Sequence, residues 1–166
     1  MSLSDIDLKT SLRHAVQEVF ATMLSMEMED VDDGQQAEAN GNRIVGTVSL
    51  AGQVLGNVNL HIGEGFAREI TAGMLGMTPE EVGSDEEIHD VIGELSNMIG
   101  GNLKSKLCDA GLPCNLSIPT ITSGKDFQIA QVQADGALPI RFSVLDCFTR
   151  SFSLESWPMP SSPSER

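Results

Sequence analysis

The spacing of apolar positions changes period several times along the chain, and each change marks an element. Leu8, Leu12, Val16, Val19, Met23 and Leu24 recur at helical intervals, which predicts an amphipathic helix over about 5–28 with Ser4 as its N-cap. The following stretch, MEMEDVDDGQQAEANGN (26–42), is acidic and rich in turn formers, and predicts a solvated loop. Two runs of period two come next. Ile44, Gly46, Val48 and Leu50 alternate with smaller or polar residues, as do Val54, Gly56, Val58, Leu60 and Ile62, so the two runs form a hairpin joined through Ala51-Gly52-Gln53. Helical spacing resumes over about 65–76 and stops at Gly76. Thr78-Pro79-Glu80-Glu81 carries a cap, a first-turn proline and a carboxylate three residues on, but opens only a short turn because a new helix starts soon after.

That next helix has the strongest signal in the chain. Ser84 and Glu87 form a capping box, and Asp85, Glu86 and Glu87 suit the positive end of the helix dipole. The helix runs to about 110, where Gly111 and Pro113 end it. Ile88, Ile92, Leu95, Ile99 and Leu103 fall on one face. Asp90, Glu94, Asn97 and Gly101 fall on the other, flanked by Gly93 and Gly100. Glycine inside a helix costs ~1 kcal/mol relative to alanine, yet the segment GELSNMIGGN (93–102) accepts it repeatedly. A polar face that is simply solvated is better served by Ala, Glu or Lys. The stripe therefore reads either as an ordinary wet face or as a surface that another molecule approaches closely.

Beyond this helix, NLSIPTI (115–121), DFQIAQVQ (126–133) and LPIRFSVLDCF (138–148) read as strands, with Asp135-Gly136 turning the last pair. The predicted fold class is α+β: an antiparallel sheet with two long helices packed on one face, and a weak helix–hairpin pseudo-repeat between the halves. Residues 1–155 make one domain, and 156–166, rich in proline and serine, a flexible tail.

Composition narrows the partners. The net charge of −14 disfavours nucleic acid and anionic lipid surfaces. The start of the chain has neither the basic nor the apolar segment of a secretory signal, and no apolar run is long enough to span a bilayer, so a cytoplasmic protein without membrane contact is expected. With six Phe, one Trp and no Tyr, the core must be aliphatic. Cys108, Cys114 and Cys147 lack metal-type spacing and read as free thiols. The acidic run through Glu27, Glu29, Asp30, Asp32 and Asp33 fails the EF-hand frame, because Gly34 stands fifth from Asp30 rather than sixth. His14, His61 and His89 are scattered, so no metal site is expected. There is no nucleophile elbow, Walker loop or dinucleotide fingerprint.

Asp90-x3-Glu94-x2-Asn97, followed after twenty-one residues by Pro119, resembles the signature of the CheC/CheX/FliY phosphatases of bacterial chemotaxis. GELSNMIGGN, VFATMLSME (19–27) and GTVSLAGQVLGNVNLHI (46–62) are similar to the CheX version, although the proline stands one residue closer to the helix than in the usual family pattern. The resemblance implies a hydrolase acting on the aspartyl phosphate of a CheY-type response regulator. Glu94 would pair with a lysine of the regulator and Asn97 would orient the attacking water. Asp90, Gly93 and Gly101 would lie against the partner. No cofactor is implied on this chain, since the Mg²⁺ belongs to the regulator. In the first helix the matching stretch is Glu18-Val19-Phe20-Ala21, where alanine cannot orient water, so a single site of the CheX type and a homodimer are implied. The alternative is a module of the same fold that binds a regulator without turnover.

Overall fold

The computed structural model of the protein describes residues 7–30, 42–125, 127, 138–144 and 151–156. Its helices are α1 (Leu8–Leu24), α2 (Glu64–Leu75) and α3 (Asp85–Asp109). Its strands are β1 (Met28–Asp30), β2 (Arg43–Gly52), β3 (Gly56–Gly63), β4 (Cys114–Leu116), β5 (Thr120–Gly124), β6 (Leu138–Val144) and β7 (Ser151–Ser156). They form one sheet in the order β1-β6-β7-β3-β2-β4, with β5 continuing beside β2. Every pairing is antiparallel. The hairpins β2–β3 and β6–β7 meet at the β3–β7 pair. The strand after α1 pairs with the second hairpin, and the strands after α3 pair with the first. Both helices are thus tied to the opposite half of the sheet.

The apolar stripes account for the layers. Leu12, Val16, Val19 and Phe20 of α1 are buried against Ile88, Ile92, Leu95, Ile99 and Leu103 of α3 and against Ile44, Val48, Leu60 and Ile62 of the hairpin, in one core. Each fully buried Leu or Ile contributes about 2 kcal/mol relative to exposure, so five on one face fix how α3 is rotated. On the other side of the hairpin, Thr47 Oγ1 donates to Asn59 Oδ1 at 2.7 Å and Ser49 Oγ to Asn57 Oδ1 at 2.7 Å, linking residues that the register sets opposite each other.

Several boundaries differ from expectation, each for a local reason. Helix α1 starts at Leu8, because Asp7 is the N-cap: its carboxylate accepts from the Thr10 amide at 3.0 Å and from the Thr10 hydroxyl. These bonds, the hydroxyl's first, hold the Asp7 carboxyl below its ordinary pKa. The helix ends at Leu24 rather than near 28, where Ser25 turns left-handed (φ 52°) and its amide donates back to the Phe20 carbonyl. Met23 is consequently exposed, whereas Ala15 and Phe20 complete the buried stripe. The expected loop begins with a strand instead, since Met28–Asp30 pairs with Val144–Phe142. Strand β2 extends through Ala51 and Gly52 because β4 pairs there, with Gly52 opposite Cys114. The expected strand over 115–121 is broken into β4 and β5. Strand β7, unforeseen in the sequence, is the described hairpin partner of β6. The strand expected at 126–133 (Phe127 apart), the Asp135-Gly136 turn, Ser4 and the 157–166 part of the tail lie outside the described residues. Among the described residues no helix is long and apolar enough to cross a membrane.

Candidate functional site

Helix α3 carries the candidate site, and its first turn is strongly anchored. Ser84 Oγ accepts from the Glu87 amide at 3.3 Å, while Glu87 Oε2 accepts from the amides of Gly83 (2.8 Å) and Ser84 (3.3 Å). The rest of the helix is seated by small residues. Ser96, buried among the isoleucines, turns its hydroxyl onto its own helix at the Ile92 carbonyl (2.7 Å) and faces Gly46 of β2. A Cβ on Gly46 would collide with Ser96 Oγ and stand 3.1 Å from Ser96 Cβ. One turn on, a Cβ on Gly100 would stand 2.7 Å from Val48 Cγ2 and 3.0 Å from Leu116 Cδ1. These two absences of a side chain allow α3 to lie close on β2 and β4, which sets the height of everything on its outer face.

That outer face carries Asp90, Glu94, Asn97 and Gly101, as the periodicity predicts. Asp90 and Glu94 are exposed, and Asn97 and Gly101 are half-buried. Among the described residues, no hydrogen bond or ion pair engages the side chains of Asp90, Glu94 or Asn97. A carboxylate and a carboxamide thus stand free, one helical turn apart, on a helix whose other side is locked in the core. Both can form new hydrogen bonds without first breaking old ones.

The glycines divide into two kinds. A Cβ on Gly101 would have nothing within 4 Å, so this glycine leaves open space beside Asn97. Gly93 and Gly100 are buried and look inward. A Cβ on Gly93 would lie 3.7 Å from Pro119 Cγ and 3.9 Å from Ile121 Cδ1, so Gly93 faces this chain's own β4–β5 segment. Gly100 provides room for the sheet rather than for a visitor. Periodicity does not single out Ser96, whose signal is a lone small polar residue on an otherwise aliphatic face. Pro119, distant in sequence, is brought against α3 at Gly93 despite its shortened spacing.

The corresponding face of α1 is different. Glu18 and Ala21 are exposed, and Glu18 Oε2 accepts from Asn102 Nδ2 of α3 at 3.5 Å. Without an amide at position 21, this helix has no counterpart to Asn97. A half-open cleft of about 110 Å³ at the start of α3 is lined by Arg43, Glu64, Asp85, His89 and Ser123, with Asn42, Ile44, Ile88 and Gly124. His89 therefore belongs to that cleft. Among the described residues no group of three or more His, Cys, Asp or Glu side chains could hold a metal ion.

An antiparallel sheet covered on one face by helices is the α+β fold of CheC- and CheX-like proteins. The family model described as chemotaxis phosphatase CheX matches residues 44–143, and the chain belongs to that family. Among solved structures it is similar to chemotaxis protein CheX from Vibrio vulnificus, at 26% identity over 95% of this chain and 100% of that one, with a TM-score of 0.77. It is also similar to a CheC-like superfamily protein from Shewanella sp. PV-4 (26% identity, 96% and 100% covered, TM-score 0.76). The fold is shared with CheX of Borrelia burgdorferi in its CheX–CheY–BeF3–Mg²⁺ complex (21% identity, 93% and 99% covered, TM-score 0.70). A search of curated proteins found no match.

Proposed function

We propose that this protein hydrolyses the aspartyl phosphate of a CheY-type response regulator, with Glu94 as the docking group and Asn97 as the residue that orients water. The single observation carrying this reading is the uncommitted Glu94/Asn97 pair, i and i+3 on a helix held rigid by its buried face. Membership of the CheX chemotaxis phosphatase family supports it, as does the existence of a relative in complex with CheY.

The chemistry suits these groups. In-line attack forms a bond from water oxygen to phosphorus and breaks the one from phosphorus to the aspartyl oxygen, releasing phosphate and a free carboxylate. Such transfer depends on positioning and charge stabilisation more than on covalent help. The Asn97 amide offers both a donor and an acceptor, enough to fix a water's direction. Glu94, unable to donate when ionised, accepts a charge-assisted hydrogen bond from the regulator's lysine and holds the helix in place. Asp90 and Gly101 lie along the docked face, with Gly93 beneath it. The metal that balances the phosphate belongs to the regulator. The same reading expects the protein to act as a homodimer in the cytoplasm.

Phosphate release from a phosphorylated CheY-type regulator of the source organism tests this reading. Asn97→Ala is expected to lower kcat by about 100-fold with binding largely kept. Glu94→Ala should weaken binding by about tenfold, the worth of one hydrogen bond to a charged group. Equal turnover by wild type and Asn97→Ala would refute catalysis and leave a binding module.

A further inference from the structure

Helix α3 ends in a reversal that carries the chain back along its own flank. The Leu112 amide donates to the Leu107 carbonyl at 2.9 Å and the Gly111 amide to the Cys108 carbonyl at 2.9 Å, the paired bonds of a Schellman motif, with Gly111 at φ 80°. The Pro113 carbonyl then accepts from the Gln53 amide at 3.0 Å, and β4 begins at Cys114. From there the chain runs antiparallel to the helix, since Leu116 lies against Gly100 and Pro119 against Gly93.

That direction brings Cys114 beside the last turns of α3. Cys114 and Leu116 are two apart in a strand and share a face, while Asn115 between them is exposed. Cys114 belongs to the core and is 6% exposed. Two strand residues span about 7 Å, and the helix rises about 1.5 Å per residue. Cys114 is therefore level with α3 one turn past Gly100, beside Lys104. Cys108 stands one further turn on, and its side chain leans back over the turn before it, as helical side chains do. The two sulfurs converge there, near enough to share a side-chain hydrogen bond. Burial holds the Cys114 proton most strongly, Cys108 adds to this, and the Lys104 ammonium opposes both. Of the two thiols Cys108 is the accessible one, half-buried with Ser105 and Asp109 exposed around it.

We propose that Cys108 and Cys114 are an oxidisable thiol pair, which a hydroperoxide converts to an intramolecular disulfide that clips the last turn of α3 to β4. The Cys108 sulfur takes an oxygen from the hydroperoxide, breaking the O–O bond and releasing water or an alcohol, and becomes a sulfenic acid. The Cys114 sulfur then attacks that of Cys108. An S–S bond forms, the S–O bond breaks, and the departing hydroxide leaves as water with the Cys114 proton. Two electrons pass from the thiols to the peroxide. Lys104 favours the thiolate of Cys114, the form that attacks. The bond closes a short loop through Ala110–Pro113, and a thiol reductant reopens it. Nothing in this pair depends on the proposed function, because Cys108 lies about 16 Å along the helix from Asn97.

Peptide mapping of the folded wild-type protein after treatment with hydrogen peroxide tests the assignment directly. Lys106 and Lys125 bracket both cysteines, so trypsin releases them in one peptide, 107–125. That peptide is expected to lose two hydrogens, to carry no partner peptide, and to regain both thiols with dithiothreitol. The oxidised protein should unfold at a higher urea midpoint than the reduced one, since the clip restricts the unfolded chain. In Cys114→Ala the sulfenic acid of Cys108 has no thiol to meet, and dimedone should trap it there but not in wild type. In Cys108→Ser the buried Cys114 should resist peroxide. Both thiols free in peptide 107–125 after treatment would overturn the proposal. So would a disulfide from either residue to Cys147, a dimer linked through Cys108, or direct over-oxidation of Cys108 with Cys114 untouched.

Discussion

Substituting alanine for the adjacent glycines of α3 should move stability in opposite directions. In a helix interior Gly→Ala gains ~1 kcal/mol from backbone entropy and solvation. At Gly101 nothing lies within 4 Å of the new methyl, so that gain is realised in full. At Gly100 the methyl would meet Val48 Cγ2 at 2.7 Å and Leu116 Cδ1 at 3.0 Å. Leu116 is half-buried and can rotate away, but Val48 is fully buried, β-branched and held in a strand paired on both sides. Inserting a methyl into such packing costs about 1–3 kcal/mol. The entropy gain offsets part of this, so Gly100→Ala should lose up to about 2 kcal/mol, placing it about 1–3 kcal/mol below Gly101→Ala. Urea denaturation followed by circular dichroism resolves that separation, with similar m-values expected for both variants. If Gly100→Ala raises the midpoint as much as Gly101→Ala, then α3 is not seated by close approach to β2 and the account of its height is wrong. Gly101→Ala has a second readout. Under the proposed function its methyl intrudes on the docked regulator, so KM should rise although the protein is more stable.

Ser84→Ala should cost about 1 kcal/mol of stability, because it removes one side of the capping box, while kcat and KM stay unchanged since the cap is about three and a half turns from Asn97. Burial, then the neighbouring Cys108, pushes the Cys114 thiol above its ordinary range, with Lys104 opposing. A raised folded pKa favours the protonated state, so its contribution is complete below the ordinary thiol pKa of about 8.5 and is lost as pH rises above it. Wild type should therefore lose more stability than Cys114→Ala between neutral and strongly alkaline pH, as measured by urea midpoints across the range.

Helix α3 was legible almost to the residue, because its signals are local: a capping box at one end, Gly111 and Pro113 at the other, and apolar residues at helical spacing between. The same periodicity placed Asp90, Glu94, Asn97 and Gly101 on the solvent side, since burying five aliphatic side chains leaves α3 one orientation. Family resemblance, not periodicity, attached chemistry to that face. What the pattern could not reveal was contact between distant segments. Whether a helical glycine faces a partner or the protein's own sheet depends on what crosses it, and here Val48 and Leu116 cross Gly100 while Pro119 crosses Gly93. Strand β1 is similar: Met28–Asp30 sits in an acidic, turn-rich stretch and is extended because β6 offers it backbone partners. The break between β4 and β5 is partly written in Pro119, which cannot donate to a ladder, but its outcome depends on register with β2. Local chemistry, which acts within a few residues, was determined by the sequence alone. The inward-facing glycines and the break between β4 and β5 were decided by tertiary structure, because packing couples residues that the chain keeps far apart.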